Sequence, residues 1–176
     1  MDEGIAWFGQ GALPGWVSGS GESELGLTPL RAFLRRHRRI AFDTSIFIYH
    51  IEANPSYNEL TGEILSWLEG SRNTAVTSTL TMTELLVQPY RAGNEALVNR
   101  YFGLLSSFPN LEWIAPNLAI ADTAARLRAH HRLRTPDAIQ AATGFCSGAT
   151  GMLTNDTELA RVVDLEVGVP DQLRPK

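Results

Sequence analysis

"RIAFDTSIFIYHIE", residues 39–52, begins with a short apolar run, Ile40-Ala41-Phe42, and stops on the carboxylate of Asp43. A run this short, with arginines before it and an acid after it, reads as a buried strand whose carboxyl end carries an aspartate. An acid in that place either turns the chain or meets a ligand. The segments on either side decide between the two.

Upstream, Thr28-Pro29 starts a helix, threonine as cap and proline as first helical residue, running into "LRAFLRRHRR". Downstream, "SYNELTGEILSWLEG" places Leu60, Ile64, Leu65 and Leu68 at helical spacing before Gly70. "NTAVTSTLT" is β-branched and reads as a strand, "MTELLVQPY" and "NEALVNRYFGLLSSF" as helices, and "LEWIA" as a strand. "NLAIADTAARLRAHH" and "TPDAIQAATGFCSG" read as two more helices, "TGMLTND" as a short strand, "DTELARVV" as a helix and "DLEV" as a last strand. Strands separated by helical crossovers imply an α/β fold with a parallel sheet covered on both faces.

The chain has 176 residues, suited to one domain at roughly 100 to 200 residues per domain. With 44% hydrophobic and 19% charged residues, it has globular rather than disordered composition. One cysteine, Cys146, rules out an internal disulfide framework, and no paired Cys/His spacing suggests structural zinc. No run approaches the ~20 apolar residues of a membrane span, and the N-terminus lacks a signal pattern, so a soluble cytoplasmic protein is expected. The net charge of −4 gives no global attraction to nucleic acid. Arginines nevertheless crowd two segments, Arg31 to Arg39 and Arg126 to Arg134. Residues 1–27 stand apart, with Gly4, Gly9, Gly11, Gly15, Gly19, Gly21 and Gly26 around Trp7, Phe8 and Trp16. They read as an extension, either a flexible tail or an aromatic arm that docks on this subunit or a neighbour, ahead of a domain spanning 28–176.

Ligands of open parallel sheets bind beyond the carboxyl ends of the strands. Asp43 ends one strand and Asp156 follows another, while Glu84 and Asp137 fall in what read as the first turns of helices. Each acid has an innocent reading. Thr81 to Glu84 forms a capping-box pattern, Thr135-Pro136-Asp137 a helix start, Asp156 a cap and Asp43 an Asx turn. The apolar flanks "IAF" and "AIQAA" weigh against four separate coincidences, because clustered, partly desolvated carboxylates repel. A divalent cation removes that conflict, and oxygen ligands without His or Cys point to a hard ion, Mg²⁺ or Mn²⁺.

"FDTSIFIY", "TSTLTMTELLVQP", "LRTPDAIQAA" and "LTNDTELA" resemble, in that order, the four acidic motifs of PIN-domain nucleases. The resemblance spans about residues 28–168 and is greatest to the VapC-type toxins of bacterial toxin–antitoxin modules. It implies a PIN-like three-layer sandwich, a central mostly parallel sheet flanked by helices, cutting RNA with Mg²⁺ or Mn²⁺. Carried across, Asp43, Glu84, Asp137 and Asp156 match the catalytic, metal-holding acids. Thr44 and Thr154 match small polar positions that orient a carboxylate or water. A homodimer and a cognate antitoxin are the implied partners. The leading 27 residues lie outside the family pattern.

Phosphodiester chemistry fits these acids independently. A metal binds a scissile phosphate oxygen, activates water and offsets transition-state charge, with Glu84 or Asp156 as general base. An acidic edge repels RNA, so Arg134, or Arg35 and Arg36 in their run, is expected to contact phosphates. Two rivals compete. A phosphohydrolase with an aspartyl nucleophile would want a second aspartate at position 45, where Ser45 stands. A non-catalytic PIN-like module binding RNA or protein would normally have lost one of the acids. Dinucleotide binding lacks G-x-G-x-x-G after the first strand, and neither Cys146 nor His37, His50, His130 or His131 has a motif partner for nucleophilic catalysis.

Overall fold

Three short apolar stretches, "RIAF", "TAVTS" and "GML", form the middle of a sheet because each has side chains to bury on both faces. The computed structural model describes residues 28–52, 54–70, 72–161 and 165–173. In chain order its elements are α1 (Thr28–Arg36), β1 (Arg39–Phe42), α2 (Thr44–Ile51), α3 (Asn58–Glu69), β2 (Thr74–Ser78), α4 (Thr79–Arg91) and α5 (Glu95–Ser106). Then follow β3 (Leu111–Ile114), α6 (Leu118–His131), α7 (Thr135–Cys146), β4 (Gly151–Leu153), a 3₁₀ turn (Leu159–Arg161), β5 (Glu166–Gly168) and α8 (Pro170–Leu173). The readings made for residues 1–27 lie outside the described residues.

The described strands form one five-stranded sheet in the order β3-β2-β1-β4-β5, and every pairing is parallel. Register puts Ile40 beside Ala75 and Phe42 beside Leu153. These face a core built with α1 to α5, including Phe33, Ile46, Ile64 and Leu105. One step out of phase, Ala41 lies between Val76 and Met152, facing Ile120, Ala124, Ala138, Ala141 and Ala142 of α6 and α7. The alternation of period two divides one sheet between two cores, giving three layers. Among the described residues no helix is long and apolar enough to cross a membrane.

Three sequence expectations shift. Residues 44–51, which the sequence reading left without an element, form α2. Their β-branched and aromatic residues favour a strand locally, but Thr44, Ile46, Phe47 and His50 bury on one helical side. The strand "NTAVTSTLT" ends at Ser78, whose side chain accepts from the Leu80 amide at 3.2 Å and starts α4. Glu84 therefore lies in the second turn of α4, and the capping box does not form. The expected helix "DTELARVV" is only the 3₁₀ turn 159–161 within the described residues.

The small residues of α7 have a geometric purpose. A Cβ added at Gly144 would sit 2.5 Å from the Cβ of Ala41, well inside van der Waals contact. Glycine thus lets α7 press onto β1, which sets the height of everything α7 carries. For Gly144→Ala, helix propensity favours alanine by about 1 kcal/mol, whereas overpacking costs about 1–3 kcal/mol. The expected outcome is net destabilisation, read as a lower urea midpoint. A midpoint at or above wild type would contradict the close packing.

Candidate active site

Parallel strand order reverses direction between β1 and β4. At such a switch point the helices leave on opposite faces and open a crevice at the carboxyl ends of the strands. Asp43 and Thr154 are the first residues beyond β1 and β4. The Asp43 amide donates to the Leu153 carbonyl at 3.0 Å, and the Thr154 amide to the Gly168 carbonyl at 3.2 Å. Sheet hydrogen bonding therefore fixes both backbones at the mouth of the crevice.

Asp43 is the N-cap of α2, yet its side chain makes no capping bond. Its Oδ2 instead accepts from Ser45 Oγ at 3.0 Å and from Thr154 Oγ1 at 2.9 Å. The same two hydroxyls hold the loop after β4: Ser45 Oγ accepts from the Asn155 amide at 3.1 Å, and Thr154 Oγ1 from the Asp156 amide at 3.0 Å. Asp156 Oδ1 accepts from the Glu158 amide at 2.8 Å, a local turn where the sequence suggests a helix cap. Thr154 thus ties Asp43 to Asp156, although they lie far apart in sequence.

Glu84 reaches the edge from α4, where its Oε2 accepts from the hydroxyl of Thr44, the residue after Asp43. Asp137 sits in the first turn of α7, whose cap residue Arg134 makes no side-chain capping bond. Burial pushes the Asp137 carboxyl above the ordinary range; Asp156 adds to the rise, Arg134 opposes it, and Asp43 and Glu84 add further. Asp137 therefore feels all three other acids. The four reach one electrostatic neighbourhood from the ends of β1 and β4 and from the early turns of α4 and α7.

Among the described residues, four other acids are paired with arginine. Glu63 pairs with Arg31 at 2.9 Å, Glu166 with Arg36, Glu112 with Arg39 and Asp122 with Arg126 at 2.8 Å. Among the described residues no salt bridge closes Asp43, Glu84, Asp137 or Asp156. Arg134 is exposed beside Asp137, whereas Arg36 is held by Glu166 at the start of β5, the opposite edge of the sheet. Arg35 is exposed in the last turn of α1, which precedes that same opposite edge.

The donor chemistry fits a hard cation, since every side chain involved offers oxygen. Asn155 Oδ1, in the same loop, is buried and meets no donor among the described residues. A buried acceptor left this way costs about 1–3 kcal/mol, which an ion or its bound water would relieve. Among the described residues no three His, Cys, Asp or Glu side chains form a ready-made ligand cluster. An ion bound at this edge would offset the repulsion among these carboxylates.

Sequence reading gave no role at the site to Ser45, Thr77, Thr81, Gln140 or Asn155. A signal for two of them was present. Gln140 is a lone polar residue in the apolar run "AIQAA", three positions after Asp137 and so on the same side of α7, and Thr81 belongs to the alternating threonines of "TSTLTMTE".

Comparison with known proteins agrees with this architecture. The family model described as the PIN domain matches residues 40–165. VapBC-1 from nontypeable Haemophilus influenzae superposes with a TM-score of 0.61 at 22% identity, covering 76% of this chain and 98% of that one. FitAcB from Neisseria gonorrhoeae gives 0.57 at 18% identity, covering 75% and 97%. A toxin–antitoxin complex from Klebsiella pneumoniae gives 0.55 at 21% identity, also covering 75% and 97%. No curated protein matches the chain in sequence. With the family model matching residues 40–165, well over half of the chain, the chain belongs to the PIN domain family.

Proposed function

We propose that the protein is a metal-dependent endoribonuclease, hydrolysing RNA phosphodiester bonds, and that it serves as the toxin of a toxin–antitoxin module. One observation carries the catalytic reading: Asp137 senses Asp43, Glu84 and Asp156 at the strand-end edge, and none of the four forms a salt bridge among the described residues. The toxin assignment rests on the kinds of protein the fold resembles, whose structures are described as toxin–antitoxin complexes. A cognate antitoxin and a homodimer belong to the same proposal.

Asp43, Glu84, Asp137 and Asp156 would hold Mg²⁺ or Mn²⁺. Bound there, the ion supplies Lewis acidity toward a phosphate oxygen and lowers the pKa of a coordinated water. Thr154 and Ser45 orient Asp43 by donating to Oδ2, and Thr44 orients Glu84 by donating to Oε2. Glu84 or Asp156 receives the proton of the attacking water. Arg134 meets the incoming phosphate backbone beside the acids. Arg36, already paired with Glu166 at the other edge, has a smaller claim to that task, and Arg35 shares its location. No observation favours a non-catalytic module over this reading, since all four acids are present and accessible to the same edge.

RNA incubated with the protein and Mn²⁺ should be cut, and cleavage should disappear with chelator or in Asp43→Asn. Binding without cutting under all conditions would reject the enzyme. Asp137→Asn removes a half-buried charge crowded by three like charges, so the metal-free variant should melt at a higher temperature than wild type while losing cleavage; a lower melting temperature would show that the acids do not repel across this edge. Arg134→Ala should weaken RNA binding and reduce the slope of log affinity against log salt by about 0.7 to 1. An unchanged slope removes Arg134 from the phosphate path.

A further inference from the structure

Beneath the acidic edge lies a closed group of neutral polar side chains that the proposed chemistry does not use directly. Thr44, Thr77, Thr81 and Gln140 are all buried, Gln140 at 3% exposure and Thr81 at 0%. They come from α2, β2, α4 and α7, and their hydrogen bonds have one self-consistent direction. The Phe42 carbonyl can only accept, so the Thr77 hydroxyl donates to it at 2.9 Å. Thr77 Oγ1 then accepts from Thr81 Oγ1 at 2.9 Å. The two amide protons of Gln140 go to Thr81 Oγ1 at 2.7 Å and Thr44 Oγ1 at 3.2 Å. The remaining proton, on Thr44, has two acceptors in reach, Thr81 Oγ1 at 3.1 Å and Glu84 Oε2, of which the carboxylate is the stronger and Thr81 already accepts from Gln140. Glu84 Oε1 receives no hydrogen bond among the described residues.

We propose that Gln140 is a positioning residue for Glu84: by donating to Thr44 and Thr81 together it directs the Thr44 proton onto one Glu84 oxygen and leaves the other for a divalent ion. This rests on the reading of Glu84 as a metal ligand. Gln140 is suited to the task because a primary amide has two protons on one nitrogen and can serve two acceptors at once. Its place on α7, one turn from Asp137, couples two acids from different helices through a neutral frame. Replacing it with leucine removes both donors. Replacing it with glutamate removes the donors and adds acceptors, drawing the Thr44 proton toward residue 140; charge alone would instead tighten cation binding.

The test is Mn²⁺ affinity, measured through the paramagnetic resonance of free ion, with thermal unfolding of the metal-free protein as the check on folding. Gln140→Leu, Gln140→Glu and Thr44→Val should each weaken Mn²⁺ binding by roughly 10-fold or more, the usual cost of removing an outer-shell partner. Thr44→Ser, which keeps the hydroxyl, should stay near wild type. Wild type binding Mn²⁺ with Gln140→Leu and Thr44→Val equal to it, or Gln140→Glu binding more tightly, overturns the role of Gln140 and leaves the metal reading standing. Wild type that binds no Mn²⁺ overturns both.

Discussion

Mutual repulsion among carboxylates is the constraint around which this edge of the molecule is arranged. Asp137 stands where burial and the charges of Asp156, Asp43 and Glu84 raise the cost of its own charge. Glu63, Glu112 and Glu166 elsewhere are met by arginine. Here the chain supplies neutral donors. Thr154 and Ser45 hold Asp43, Thr44 holds Glu84, and a backbone amide holds Asp156. Neutral donors orient a carboxylate without cancelling its charge, so this edge keeps its negative charge.

The sheet makes this arrangement possible. A parallel sheet buried on both faces ends all its strands at one edge, and the reversal between β1 and β4 separates the helices there. Close approach of α7 to β1 through Gly144 and Ala41 then sets how far Asp137 and Gln140 stand from Asp43 and Thr44. A packing contact in the inner core thus governs geometry at the mouth of the crevice. Core alanines and glycine in α7 serve the site as much as the fold.

Much of this was legible in the chain. Alternating strands and helices were enough for a three-layer α/β fold, because periodicity reports burial directly. Asp43 and Asp156 were legible as strand-end acids, since "IAF" and "GML" announce the strands they follow. Helix boundaries were less so. Ser78, not Thr81, caps α4, because β2 ends where its ladder to β3 ends, and no local pattern records that. The "TSIFIYHI" helix was hidden for a related reason: its residues favour extended structure alone, and only packing of Ile46 and Phe47 against the core makes it helical.

By itself, then, the sequence determined the fold class, the family pattern and the identities of the four acids, since these depend on residue type and spacing along one chain. Tertiary structure alone decided that Thr154 joins Asp43 to Asp156, that Gln140 reaches Thr44 and Thr81, and that Arg36 is held at the far edge while Arg134 stands beside Asp137. Those relations join residues dozens of positions apart. Hydrogen bonds depend on distance and angle in space, and spacing along a chain carries neither until strands and helices have packed.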